Sequence, residues 1–209
     1  MEILWVQKIG ERGKMKFEKL LEFLEKIGRL KKIERTGWVV WKGLNVKNPE
    51  SVAEHVFRAA ILGMILADLK KLKSEKVIKM ILLHDLPEAL IGDWDLTAKK
   101  KLGIERWKRK EKDAMKNLMS LLGKIGKEYL KLWKEFEEQK SKEAKIAKQA
   151  EKLEMIIQAY EYMKEGYPKR ILKDWFINEE KIMKDKDVRK MFELVKRKAG
   201  IEKNHHKKR

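Results

Sequence analysis

The chain has 209 residues, enough for one domain, and it contains no cysteine. Its 52 lysines and arginines outnumber 33 aspartates and glutamates, which gives a formal net charge of +19 at pH 7. The lack of cysteine excludes disulfides, a cysteine nucleophile and cysteine-ligated zinc or iron–sulfur sites, so any metal would need histidine and carboxylate ligands.

The charge has two interpretations. High lysine and glutamate content without cysteine is typical of hyperthermophile proteins, and we interpret most of the charge as a solvated, heat-adapted surface. The alternative is an anionic partner such as a phosphorylated small molecule, a nucleic acid or an acidic lipid. The longest apolar runs are far shorter than the ~20 residues that span a bilayer, and no signal-peptide pattern is visible. We therefore expect a cytoplasmic protein with no membrane association.

Apolar residues recur at three- and four-residue steps almost everywhere, which predicts helices and no strand. A capping box at Ser51 and Glu54 and an N-cap at Ser141 mark two of the helix starts. A loop is predicted over residues 36–49, and a long helix between Ser141 and Gly166. The other predicted helices cover about residues 17–33, 51–69, 74–91, 104–122, 129–138, 175–183 and 188–198.

These elements predict an all-α fold in a single domain over residues 15–200. Residues 1–14 are interpreted as an N-terminal extension or the product of an alternative start, because Met15 begins the first strong amphipathic stripe. Residues 201–209 are predicted to be a basic flexible tail. His205 and His206 lie in this tail, so we expect no metal role for them.

Polar residues interrupt the apolar run at residues 80–91. His84 and Asp85 are adjacent there, and Glu88 shares a helix face with both. Burying these groups would cost several kcal/mol without a partner, and a divalent cation binds imidazole nitrogen and carboxylates together. The alternative is a surface face that follows a hydrophobic stretch by chance.

Two further residues extend this pattern to other helices. His55 directly follows the capping-box glutamate, and Glu151 lies in the middle of the long helix with Glu154 three residues later. Alone, His55 fits a structural or solvated histidine. Two histidines, an aspartate and a further carboxylate from three helices would nevertheless form a complete ligand set with positions left for water.

A histidine, then a His-Asp pair, then a distal acid follow one another on successive helices. This order resembles that of the HD-domain metal-dependent phosphohydrolases, and the local strings are closer to those of the 5′-deoxynucleotidase branch. The matching strings are RTGW at 35–38, PESVAEH at 49–55, LHDLPE at 83–88, GD at 92–93 and KQAEKLEMIIQA at 148–159. The resemblance covers about residues 16–180. It implies a compact helical domain, usually a homodimer, that removes phosphate from deoxyribonucleoside 5′-monophosphates with a divalent metal.

The resemblance implies four metal ligands: His55, His84, Asp85 and Glu151. One of them departs from the family pattern, because the distal ligand is normally aspartate. Glutamate is also a hard oxygen ligand but is one methylene longer, so the side chain must bend or the helix must shift. Three outcomes stay open: altered metal geometry, weak binding, or loss of the metal. Such sites accept Mn, Co, Fe, Ni, Zn or Mg, so the sequence does not predict which.

The resemblance also implies that Glu88 and Asp93 lie beside the phosphate and assist proton transfer and water placement. Either of them could donate the proton while the other orients the water. It implies that Arg35 and Trp38 contact the nucleotide, with Trp41 as the alternative to Trp38 at the sugar. An arginine suits bidentate contact with phosphate oxygens, although an exposed loop cation is the other interpretation of Arg35. The cation would neutralise the phosphate and activate a water molecule.

Three other functions are compatible with the sequence. An HD-type hydrolase could instead act on a nucleoside triphosphate, a cyclic dinucleotide or an alarmone, although no Walker sequence is present. A metal-altered descendant could bind nucleotides without hydrolysing them. A nucleic-acid-binding protein would explain the charge, but basic residues are scattered and no recognition motif occurs. We predict a 5′-nucleotidase acting on nucleoside 5′-monophosphates, and we do not expect nucleic acid as a partner.

Overall fold

The structure is a computed structural model in which residues 16–201 are described. This part of the chain is helical, with no strand beyond one isolated bridge between Glu34 and Ser51. The all-α prediction is therefore confirmed. The predicted N-terminal extension and all but the first residue of the predicted tail, with His205 and His206, lie outside the described residues. No helix in the described range is long and apolar enough to cross a membrane, and the cytoplasmic location stays a prediction.

The α-helices in chain order are α1 (Phe17–Gly28), α2 (Thr36–Val40), α3 (Val52–Leu69), α4 (Ser74–His84), α5 (Glu88–Ile91), α6 (Leu96–Leu102), α7 (Ile104–Ser120), α8 (Gly123–Glu137), α9 (Lys142–Lys164), α10 (Lys169–Glu179) and α11 (Lys186–Lys198). Short 3₁₀ segments follow α1, α2 and α10. The central helix is α9, which packs against α3, α4, α8, α10 and α11. Side chains of α3, α4 and α9 therefore meet in the interior.

The two predicted helix starts form as expected. The Glu54 backbone N–H donates to Ser51 Oγ at 3.2 Å, and the Ser51 backbone N–H donates to Glu54 Oε2 at 2.6 Å. The Ala144 backbone N–H donates to Ser141 Oγ at 3.1 Å. These caps fix the starting points of α3 and α9, the two helices that carry His55 and Glu151.

The single helix predicted over residues 74–91 is wrong. Helix α4 ends at His84, a turn follows, and the short α5 begins at Glu88. The cause is Pro87, which has no backbone N–H and disfavours helical geometry in the residue before it. The break takes Asp85 off the helix and places Glu88 at the start of a new one.

Smaller differences concern the predicted loop and the fifth predicted helix. Residues 36–40 form the short α2 inside the predicted loop, and α6 was not predicted. Helix α8 begins at Gly123, six residues before the predicted start. Its early glycines and lysines carry little apolar periodicity, so packing of this segment against α7 decides its conformation.

Gly126 permits that packing. A Cβ at this position would lie 1.9 Å from the backbone oxygen of Met119 in α7. Backbone cannot give way as a side chain can, so Gly126→Ala should lower the free energy of unfolding by about 1–3 kcal/mol, measured by chemical denaturation. Gly28→Ala is the control, because a Cβ there meets only the end of Lys31 at 4.0 Å. Equal stability of the two variants would contradict the prediction.

Candidate active site

Three helices bring the central residues together. His55 lies in the first turn of α3, His84 is the last residue of α4, and Glu151 lies in the middle of α9. One ligand atom from each lies within 4.8 Å of the others, and all three side chains are buried. The structure thus assembles three of the four predicted metal ligands into one cluster.

Hydrogen bonds fix the orientation of both imidazoles. His84 Nδ1 lies 2.6 Å from the backbone oxygen of Ile81, and because a carbonyl only accepts, Nδ1 carries the proton. His55 Nδ1 contacts Glu154 Oε2, and Arg58 Nε donates to the other oxygen of that carboxylate at 2.8 Å. We assign the proton of His55 to Nδ1 as well. Both Nε2 atoms then present a lone pair to the cluster.

Burial and neighbouring charges determine the protonation of the two histidines. Burial, together with the Arg35 charge, lowers the pKa of His55 to about 3, so this ring is neutral. Burial acts in the same direction on His84, but the Asp85 and Glu151 carboxylates outweigh it and raise the pKa of His84. The cluster therefore attracts positive charge at the His84 ring, whether as a proton or as a metal cation.

Unpartnered atoms show what the cluster can bind. Nε2 of His55, Nε2 of His84 and Oε2 of Glu151 are buried, and no contact that they make with the described residues has the geometry of a hydrogen bond. Unsatisfied buried polar atoms are rare in native proteins because they are costly. A divalent cation would satisfy all three atoms, since it binds neutral imidazole nitrogens and ionised carboxylates. The residues present therefore fit a divalent metal.

Asp85 lies beside the two histidines of the cluster. Its Oδ2 lies 3.1 Å from His84 Nε2 and 3.9 Å from His55 Nε2, and it accepts a hydrogen bond from Arg35 Nη1 at 3.1 Å. Burial would raise the pKa of Asp85, but the neighbouring His84 and Arg35 hold it well below its usual range. Asp85 is thus an ionised carboxylate beside the cluster.

Glu88 and Asp93 both lie close to Asp85 and Arg35. The Glu88 side chain is 4% exposed, and burial together with the charges of Asp85 and Asp93 raises its pKa well above the usual range. Burial therefore favours the protonated, neutral form of Glu88. Asp93 is held at the start of α2, where its Oδ2 accepts the Thr36 backbone N–H at 2.6 Å and its backbone oxygen accepts the Thr36 hydroxyl at 2.8 Å.

Of the two predicted nucleotide contacts, the structure brings Arg35 to the cluster but not the Trp38 ring. Trp38 is 2% exposed, stacks on Trp175 at 4.5 Å between ring centres, and donates its indole N–H to Glu50 Oε1 at 2.9 Å. Trp41 is half-buried and donates to Asp174 Oδ2 at 3.0 Å. Both tryptophans hold the segment that carries Arg35.

Sequence reasoning missed the residues that surround the ligands. Arg58 lies one turn after His55 and joins Glu154 to Glu161 and Gln158 at 2.6 and 2.5 Å. Lys148 lies one turn before Glu151, with its Nζ 3.6 Å from Glu151 Oε2. Helical spacing could have indicated both residues, because residues three or four apart share a helix face and each lies three residues from a predicted ligand.

Glu154 should affect metal binding through His55. Glu154→Gln removes the carboxylate that holds His55 Nδ1, and loss of such a partner weakens metal affinity by about 10–100-fold. Calorimetric titration with Mn²⁺ measures this effect. Glu161→Gln is the matched control, because Glu161 also pairs with Arg58, at 2.6 Å, and the described structure records no contact between it and His55. Equal Mn²⁺ affinity in the two variants would contradict the prediction.

A sequence model described as HD domain matches residues 27–195. The 5′-deoxynucleotidase HDDC2 of Dictyostelium discoideum is 42% identical over 155 residues, covering 70% of this chain and 79% of that protein. The 5′-deoxynucleotidase HDDC2 of Danio rerio is 39% identical over 165 residues, covering 78% of this chain and 79% of that protein. These matches confirm the resemblance found in the motifs.

Solved structures agree in fold. A conserved hypothetical protein from Pyrococcus furiosus superposes with a TM-score of 0.70 at 34% sequence identity. The match covers 85% of this chain and 99% of that one. The helical arrangement described above is therefore shared by a relative whose structure has been solved.

Proposed function

Because this chain belongs to the HD domain family, we propose that it is a metal-dependent phosphomonoesterase that hydrolyses deoxyribonucleoside and ribonucleoside 5′-monophosphates to nucleoside and phosphate. The observation that carries this proposal is the convergence of buried ligand atoms from His55, His84 and Glu151 near Glu88, a carboxyl group whose pKa is raised by burial. The substrate class comes from the relatives, which are named 5′-deoxynucleotidases.

In this proposal His55, His84, Asp85 and Glu151 hold the cation. When bound, a divalent cation there neutralises the phosphate and activates water for attack on phosphorus. Two observations at Glu151 support retention of the metal despite the added methylene: a carboxylate oxygen lies within 4.8 Å of a ring nitrogen of each histidine, and Oε2 has no hydrogen-bond partner in the described structure. The metal-altered alternative predicts no cation binding.

The remaining residues bind the phosphate group and transfer protons. Arg35 donates only one of its N–H groups to Asp85 in the described structure, so others remain to bind phosphate oxygens. The raised pKa of Glu88 favours its protonated form, which donates a proton to the departing 5′ oxygen. Asp93 is fixed by two hydrogen bonds to Thr36, and it orients the attacking water and accepts its proton. Trp38 does not contact the substrate in this proposal and instead holds the segment that carries Arg35 in place.

Phosphate release from a panel of substrates tests this function. Ribo- and deoxyribonucleoside 5′-monophosphates are supplied with EDTA and then with Mn²⁺, Co²⁺ or Mg²⁺ added back. We expect no release with EDTA and metal-dependent release that is faster for the deoxy substrates. A nucleoside triphosphate, a cyclic dinucleotide and an alarmone serve as comparison substrates. Exclusive turnover of one of these, or no release by folded protein with any metal, would overturn the proposal.

We further propose that the protein is a homodimer, with α3 at the interface. Exposed apolar side chains recur every four residues along α3 and form one ridge: Phe57, Ile61, Ile65 and Leu69. Such a ridge packs against a second copy of itself about a twofold axis. Sedimentation velocity should give a dimer for the natural chain and a monomer for the Ile61→Lys, Ile65→Lys variant. A monomeric natural chain would refute the dimer.

A further inference from the structure

Besides Arg35, a second positively charged side chain borders the site, and the proposed mechanism gives it no role. We infer that Lys148 binds the phosphate group of the substrate directly, as a second charged contact on the Glu151 side of the cluster. This inference rests on the proposed function, and it adds a substrate-binding residue to it.

The position of Lys148 supports the inference. Its Nζ lies 3.6 Å from Glu151 Oε2, which is buried and has no hydrogen-bond partner among the described residues. The ammonium group lies over the Phe136 ring, 5.0 Å from its centre, and that ring lies 5.3 Å from the His84 ring. The Lys148 side chain is 24% exposed, so it borders the cluster and still reaches solvent.

The neighbouring Lys152 has different contacts. Its Nζ lies 3.1 Å from the other carboxylate oxygen, Glu151 Oε1, and 3.6 Å from Met155 Sδ. Lys152 therefore pairs with the other oxygen of the carboxylate and not with the unpartnered one. Lys148 makes no hydrogen bond to any residue that the structure describes, so its N–H donors remain available to a ligand.

The positive charge of Lys148 suits the binding of an anionic substrate. A phosphate monoester is a dianion, and it must approach a site that contains the carboxylates of Asp85, Asp93 and Glu151. The charge of Arg35 is partly neutralised by its ion pair with Asp85. The lysine side chain ends in a compact positive charge with three N–H donors. A second cation beside the metal ligands compensates the repulsion between the substrate and these acids.

The test separates phosphate binding from metal binding, because the inference predicts opposite signs for the two. Lys148→Gln should weaken binding of inorganic phosphate to protein loaded with Mn²⁺ by about tenfold, the expected loss for one charge-assisted hydrogen bond. The same variant should bind Mn²⁺ as tightly as the natural chain or more tightly, because a positive charge beside Glu151 is gone. Isothermal titration calorimetry gives both affinities.

Two variants serve as controls. Lys152→Gln removes the other cation next to Glu151 and should leave phosphate affinity within about twofold of the natural chain. Lys148→Arg keeps the charge and should restore most of the phosphate affinity. In turnover assays the loss in Lys148→Gln should appear mainly as a raised KM for the nucleotide.

Three results would overturn the inference. Equal phosphate affinities in Lys148→Gln and Lys152→Gln would show general electrostatics instead of a contact. Weaker binding of both Mn²⁺ and phosphate in Lys148→Gln would show that Lys148 only holds Glu151 in place. Unchanged phosphate affinity in Lys148→Gln would exclude the contact. None of these depends on turnover, so failure of the proposed function, seen as an inactive natural chain, is recognised separately.

Discussion

Asp85→Asn should reduce phosphate release by about 10³-fold or more while the protein stays folded. The substitution preserves the shape of the side chain but removes the negative charge beside both histidines and Arg35. Loss of a metal-holding charge removes both cation binding and stabilisation of the developing charge on the phosphate. The measurement is phosphate release at saturating Mn²⁺, with Mn²⁺ affinity determined in parallel by calorimetry.

The control for this prediction is Asp113→Asn. Asp113 pairs with Lys116 on an exposed face of α7, away from the cluster, and its neutralisation should leave turnover unchanged. Circular dichroism should give natural helicity for both variants, because Asp85 lies in the turn after α4 and not within a helix. Turnover of Asp85→Asn close to that of the natural chain would remove this residue from the metal site.

Glu151→Gln should weaken Mn²⁺ binding by about 100-fold or more. Burial would raise the pKa of Glu151, but Lys148 and Lys152 hold it well below the usual range, so the side chain is a carboxylate at neutral pH. Glutamine has the same length but offers a neutral oxygen, which is a much weaker ligand for a divalent cation. Calorimetry with Mn²⁺ measures the loss, and turnover at limiting Mn²⁺ should fall with it.

A second variant at the same position tests the additional methylene. Glu151→Asp keeps the charge and shortens the reach, and it should retain Mn²⁺ affinity within about tenfold of the natural chain, in either direction. Gln149→Glu, on the same helix but hydrogen-bonded to Lys184 and Asp185 backbone N–H groups, is not a substitute ligand and should leave Mn²⁺ affinity unchanged. If Glu151→Gln binds Mn²⁺ as the natural chain does, position 151 is not a ligand.

The sequence predicted the helices whose ends carry strong local signals. The Ser51 and Ser141 caps are side-chain hydrogen bonds to nearby backbone groups, so a few residues suffice to specify them. The break after His84 was signalled by Pro87, but the apolar periodicity across residues 80–91 outweighed that proline in the prediction. Tertiary packing places the start of α8, and periodicity does not detect it.

The composition of the site was also more predictable than its geometry. Helical spacing and motif order indicated His55, His84, Asp85 and Glu151 as a group. The hydrogen bonds that fix each imidazole were not predictable, because Glu154 approaches His55 from a helix nearly a hundred residues away in the chain. The burial of Trp38 was likewise missed, since its partner Trp175 lies on α10. Contacts between distant segments need the fold itself.

The ligand cluster joins three segments that are far apart in the chain, one each from α3, α4 and α9. A cation bound there acts as a staple across the protein, because the unfolded chain has no preformed site for it. Binding of this kind adds about 2.7 kcal/mol to the free energy of unfolding when the free cation is at a hundred times its Kd. We therefore expect the melting temperature of the protein to rise with the concentration of the divalent cation that this cluster binds.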